Sequence, residues 1–279
     1  MRINPWSAVL LLGVPVAFLF IFFIVPFGTV AVTSFRLPGG VWSAANYEKI
    51  ATDAYYWGAL YLTFKIALWV TLIVLLVGYP LAYTITYNVR SPLLRRFIYI
   101  VIVTPLFTSS IVRAFGWLVL LGRKGMVNET LMSLELIDKP LQILFTEGGI
   151  VIGMAYIMLP FMVLTVASIL QNINASLLEA ARDLGAHPVV AFLKITFPLS
   201  LPGVIAGSLI VFTLSVSAYV TPSILSGGKK TVMSMLIYQQ YAATLNFPFG
   251  ATLAVALLVS TLLLIAGYLL VIERHAKAE

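Results

Sequence analysis

The chain has 279 residues, 61% of them hydrophobic and only 10% charged, where a soluble domain carries roughly 25% charged residues. It has no cysteine, which excludes disulfides, iron–sulfur clusters and thiolate metal sites. The formal charge of +7 is scattered beside apolar stretches, where basic side chains meet anionic lipid headgroups, so lipid rather than nucleic acid is the expected contact.

No residue is charged from Ile3 to Phe35, Ile66 to Val89, Phe97 to Val112, Gly148 to Leu178, Ile195 to Gly228 or Thr231 to Ile272. A helix needs about 20 apolar residues to cross a bilayer. Five of the six runs are longer than that. The run from Phe97 is short, but Arg96 and Arg113 at its ends can snorkel to the interfaces. This predicts an all-α membrane protein with six transmembrane helices. The expected spans are approximately Ser7–Val32, Phe64–Thr84, Phe97–Trp117, Gly148–Leu170, Leu201–Leu225 and Ala251–Val271, in a single transmembrane domain over residues 1–279.

The first apolar run, Val9 to Val32, exceeds the 7–15-residue core of a signal peptide, so a retained helix is expected. Tyr55, Tyr56, Trp57 and Trp117 lie near span ends, as interfacial aromatic belts do. Pro80, Pro105 and Pro160 each remove a backbone donor inside a span. Together they suggest bent helices around a pathway, although proline is common in membrane helices generally. Basic residues divide evenly between the two sides. The short loop from Asn88 to Arg96, with Arg90, Arg95 and Arg96, favours a cytoplasmic amino terminus.

Ionisable groups inside a membrane are functional candidates. Here they are Lys65 and, at a span end, Arg113, with snorkelling as the alternative reading for Lys65. No acidic residue falls inside a predicted span. Ser215, Ser217 and Tyr219 could line a polar path or serve as helix–helix contacts. The segment from Gly122 to Glu147 is long and mixed. The segment from Ser226 to Gly250 carries Met233, Leu236, Ile237 and Tyr241 on one face of an expected amphipathic helix.

The loop between spans four and five, Asn174 to Gly203, reads as two short helices joined by a bend. Ser176 with Glu179 has capping-box spacing. Leu177, Ala181 and Leu184 share a face, and Glu179 can pair with Arg182. Gly185 falls where a left-handed C-cap is expected. Pro188 suits a first helical turn, and Pro198 and Pro202 are expected to end the second helix. Such a loop is either a rigid docking knob or an amphipathic hairpin lying on lipid.

Glu179-Ala180-Ala181, Gly185, Ile195 and Pro198 resemble, in type and spacing, the EAA signature of the inner-membrane permeases of binding-protein-dependent ABC importers. Phe197 stands where that pattern usually has leucine. The resemblance implies the type I importer permease fold in a bacterial cytoplasmic (inner) membrane, with both termini and the loop at about residues 172–203 in the cytoplasm. It implies that Glu179, Ala180, Ala181, Arg182, Asp183, Leu184, Gly185, Ile195 and Pro198 dock an ATPase subunit as coupling helices. It further implies two ATPase subunits that bind ATP and Mg, a second permease that is usually a similar but distinct chain, and a periplasmic or lipid-anchored solute-binding protein.

Within the family, Thr104-Pro105-Leu106, Val112-Arg113-Ala114-Phe115-Gly116-Trp117, Gly125-Met126-Val127-Asn128 and Ile237-Tyr238-Gln239-Gln240 look most like the spermidine/putrescine branch. The lack of carboxylates in the spans would fit a permissive channel whose selectivity lies in the binding protein. It also leaves open an anion, an amino-acid-like compound or a metal complex as solute. No GxxxxGK[ST] phosphate loop is present, and Gly227-Gly228-Lys229-Lys230 lacks its spacing. The two histidines, His187 and His275, lie far apart and read as solvated. No nucleophile–base arrangement is visible, so no enzymatic role is expected. An ion-coupled secondary transporter would show inverted repeats and a buried acidic site, and neither is evident.

Overall fold

A computed structural model describes the backbone of residues 5–276 and the side chains of residues 11–271. His275 lies outside the described side chains. Among the described residues the chain is helical, with one isolated antiparallel bridge between Arg36 and Trp42. Five helices are long and apolar enough to cross a membrane, or six when one bent pair is taken as a single span. Two compact units emerge, one from residues up to Leu60 together with those from Met233 onward, the other from Tyr61–Val232.

The first unit contains α1 (Leu11–Thr33), α2 (Ala45–Thr52) and, beyond the second unit, α11 (Met233–Tyr238) and α12 (Phe247–Ala276). The apolar window of α1 has none of its residues buried, so its surface is left for lipid or another chain. A π-helical turn, Phe20–Ile24, precedes Pro26, whose missing donor disturbs the regular ladder there. At the far end of α1, Ser34 meets the Tyr47 hydroxyl at 2.7 Å, and its carbonyl accepts from Thr252 Oγ1 at 2.9 Å. The amphipathic segment expected after Ser226 does form a helix, with Met233 and Leu236 buried.

The second unit begins within α3 (Ala54–Asn88) and continues through α4 (Pro92–Phe107), α5 (Ser110–Leu121), α6 (Met126–Ser133), α7 (Glu147–Asn172), α8 (Ala175–Asp183), α9 (Pro188–Ser217) and α10 (Val220–Leu225). Its core is the antiparallel contact of α7 with α9. Met162, fully buried on α7, wedges between glycines of two other helices. A Cβ on Gly207 of α9 would lie 2.8 Å from its sulfur, and one on Gly78 of α3 would lie 3.0 Å from its Cγ. Small residues at such points let membrane helices approach closely. The Gly122–Glu147 connection is also ordered. Asn128, fully buried, donates to the carbonyls of Gly122 and Leu141 and accepts from the Leu141 amide at 2.8 Å.

Two expected spans are corrected. The third, Phe97–Trp117, is two helices, because α4 and α5 bend by 100° at Thr108–Ser109. Pro105 just before the break removes a donor, and Thr108 and Ser109 adopt non-helical backbone. The fifth, Leu201–Leu225, starts at Pro188 and stops at Ser217, where Ala218 is extended and α10 begins anew. Pro198 and Pro202 do not end a helix. Pro198 falls in the first turn that follows a π-helical turn, Phe192–Thr196, and Pro202 is carried inside the continuing α9.

Candidate coupling loop and pathway residues

α8 starts two residues earlier than Ser176 would place it. Asn174 is extended, and its side-chain oxygen accepts from the Ser176 amide at 3.0 Å. Asn and Ser are comparable caps, so whichever residue leaves the helix first takes the role. The capping box of Ser176 with Glu179 is therefore not the device used.

The other end follows expectation. Gly185 has φ +76°, and its amide donates to the Arg182 carbonyl at 2.9 Å while Ala186 donates to Ala181 at 2.9 Å. This pair of bonds satisfies the last helical carbonyls through a left-handed glycine. Pro188 then opens α9, with His187 Nδ1 accepting from the Val189 amide at 3.4 Å. His187 is exposed and acts as a cap.

The expected apolar face of α8 is only partly covered. Ala181 is buried, Leu177 is exposed, and Leu184 at the bend is 88% exposed. Glu179, Ala180, Arg182, Asp183 and Gly185 are exposed as well. No Glu179–Arg182 ion pair forms, since the ion pairs among the described residues all involve Glu147. The loop thus presents a rigid bend carrying both charge and an uncovered leucine. Ile195 sits half-buried in the π-helical turn of α9, and Pro198 is exposed two residues past that turn.

Aromatic rings tie the beginning of α9 to α3. Phe192 meets Tyr83 edge-on at 5.4 Å, and Tyr79 meets Phe197 at 5.9 Å. The Tyr79 hydroxyl and Ser200 Oγ lie 2.8 Å apart. Ser200 donates its proton to the Phe197 carbonyl at 2.8 Å, so Tyr79 donates to Ser200. Tyr87 OH reaches the Leu170 carbonyl of α7 at 3.1 Å. Packed rings and a hydrogen bond thus join the start of α9 to α3, and a hydrogen bond joins α3 to α7.

The pathway candidates occupy three separate places. Arg113 bridges the bend between α4 and α5, donating to the Pro105 carbonyl and, at 2.9 Å, to Ser110 Oγ. Ser215 is buried, with no hydrogen-bond partner for its Oγ, whereas Ser217 donates to the Leu214 carbonyl at 3.1 Å. Tyr219 lies in the break between α9 and α10. Lys65 is drawn to a residue that span-by-span reading passed over. Its ammonium lies 2.7 Å from Glu147 Oε2, while Lys230 lies 3.1 Å from Oε1 of the same carboxylate. Glu147 immediately precedes a charge-free run, which is visible in sequence. Its partners come from distant segments and are not.

The long apolar helices, the bent pair and the bend between α8 and α9 match the fold of ABC importer permeases. A structure of a bacterial ABC transporter that imports the acidic polysaccharide alginate superposes with a TM-score of 0.77 over 96% of each chain, at 17% identity. Residues 75–274 match the family described as binding-protein-dependent transport system inner membrane component. The chain belongs to that family and is a multi-pass protein of the inner membrane. It is 34% identical over 240 residues to the spermidine/putrescine transport system permease protein PotB of Escherichia coli K12, covering 85% of this chain and 83% of that one. It is 36% identical over 198 residues to PotB of Haemophilus influenzae, covering 71% and 68%.

Proposed function

We propose that this chain forms half of the translocation pathway of an ATP-driven importer for polyamines of the spermidine/putrescine class. The observation that carries the reading is the 34% identity to PotB across 85% of the chain. The whole of residues 1–279 acts as one permease domain. The bend at Glu179–Gly185 lies in the cytoplasm with both termini and docks on an ATPase subunit. Glu179, Ala180, Ala181, Arg182, Asp183, Leu184, Gly185, Ile195 and Pro198 form the coupling surface. A second, similar permease completes the pathway, a solute-binding protein delivers the cargo, and two ATPase subunits hold ATP and Mg.

The mechanism is a coupling between two sites. ATP-driven closure of the ATPase pair moves the bend. α9 runs on from the loop without interruption, so it carries that displacement into the membrane. The Tyr79–Ser200 bond and the rings around Phe192 pass it to α3. The chain itself performs no chemistry.

The test is uptake of labelled spermidine by right-side-out vesicles, loaded with ATP, that hold this chain with its co-encoded partners. Accumulation should require both ATP hydrolysis and the binding protein. Accumulation driven by an ion gradient without ATP would overturn the importer reading, and ATP-dependent uptake of a different solute alone would overturn the cargo.

A further inference from the structure

We propose that Glu147 is the receptor for a primary ammonium group of the cargo, and that Lys65 and Lys230 are tethered stand-ins which occupy it until cargo displaces them. The proposal rests on the polyamine reading above. Each carboxylate oxygen already holds one ammonium, Lys65 at 2.7 Å and Lys230 at 3.1 Å. A lysine side chain is a primary ammonium on a four-carbon stem. That is the group which ends an alkyl polyamine, so the site displays the chemistry of its own ligand. Exchange of one ammonium for another conserves the charge-assisted hydrogen bonds. Cargo therefore makes the same kind of bond as the lysines, whose tether gives them the advantage until cargo is concentrated at the site. The three side chains are 38%, 30% and 40% exposed, so an incoming amine can reach them.

A second observation points the same way. Phe145, two residues before Glu147, holds φ +65°, an outlier for so bulky a residue. The Leu225 carbonyl fixes its amide at 3.1 Å, and its ring is seated against Gly227. Over that ring stands the Lys229 ammonium, 5.6 Å from the centroid. A carboxylate and an aromatic face, the two groups that recognise alkylammonium ions, are thus carried two residues apart in the chain and each is occupied by a lysine. Strained backbone held in place by its surroundings gathers at ligand clamps.

Position completes the argument. Glu147 is the first residue of the 26-residue α7, at the end opposite the coupling loop. The helix N-terminus favours its negative charge while one ammonium leaves and another arrives.

The experiment is uptake of labelled putrescine and spermidine by proteoliposomes holding the complete importer and saturating binding protein. Glu147→Gln should lose roughly tenfold or more in uptake rate, as expected for loss of a hydrogen bond to a charged group. ATP hydrolysis stimulated by loaded binding protein should persist. Lys65→Met, which removes one of the two competitors, should transport faster than the wild type. A purely structural ion pair predicts instead that both variants are damaged alike and that combining them restores uptake. That pattern, or wild-type uptake by Glu147→Gln, overturns the proposal. If Glu147→Gln does not assemble, acylation of lysines in the wild-type complex decides. Saturating putrescine should raise labelling of Lys65 and Lys230 severalfold relative to that of the exposed Lys139 in the same sample, a ratio that cancels the reagent consumed by putrescine itself, and an unchanged ratio overturns the proposal. A wild-type complex that hydrolyses ATP with loaded binding protein but moves no polyamine overturns the cargo reading, and the proposal with it.

Discussion

Gly185 closes α8 with φ +76°, and a Cβ added there would meet nothing within 4 Å. The demand for glycine is therefore one of backbone conformation, worth roughly 1–2 kcal/mol for an L-residue. We expect Gly185→Asp or Glu179→Lys to abolish ATP-dependent uptake while the protein still inserts, which vesicle uptake and the membrane fraction report together. Normal transport by either variant would remove the coupling role from this bend. At this scale the sequence was informative where one residue type is required, as with Gly185 and Pro188. It was ambiguous where two types serve equally, which is why Asn174 rather than Ser176 caps α8. Glu147 was missed for another reason. Its partners, Lys65 and Lys230, reach it from far along the chain, and no local pattern records that meeting.

Between helices, the junction of α3 with α9 offers an asymmetric test. Ser200 gives its proton to Phe197, so Tyr79→Phe leaves every remaining group satisfied and should cost about 1 kcal/mol. Ser200→Ala instead strands the hydroxyl of Tyr79, a residue only 8% exposed, and should cost about 1–3 kcal/mol. Thermal unfolding in detergent should rank Ser200→Ala as the less stable of the two, and the reverse order would contradict the assigned direction of that bond. Most helices were readable from uninterrupted apolar runs, because the bilayer sets both their length and their composition. Their breaks were harder. Pro105 gave a hint of the bend at Thr108–Ser109, but Ala218 and Tyr219 carry no breaker signal. Pro202, which does look like a breaker, is absorbed within α9. Hydropathy measures composition, whereas continuity depends on which neighbours satisfy the backbone.

For the whole molecule, the surface of α1 matters most. Its apolar window has no buried residue, although α1 is long enough to span. A pull-down of the tagged chain from native membranes in gentle detergent should recover a second permease and an ATPase subunit. Recovery of the chain alone would favour a self-sufficient carrier. Architecture at this scale was legible in the EAA-like spacing and the succession of apolar runs. The division into two compact units was not, because it depends on the return of residues after Met233 to those before Leu60.

α9 has one more consequence. It extends for 30 residues from the bend at its start to Ser217, a lever arm of about 45 Å at the helical rise. If it turns as a stiff rod, a tilt of about 5° sweeps its far tip through about 4 Å, by the same rise. That is close to the width of an extended methylene chain, so a slight rotation at one membrane face is enough to open or shut a passage for a slender alkyl cation.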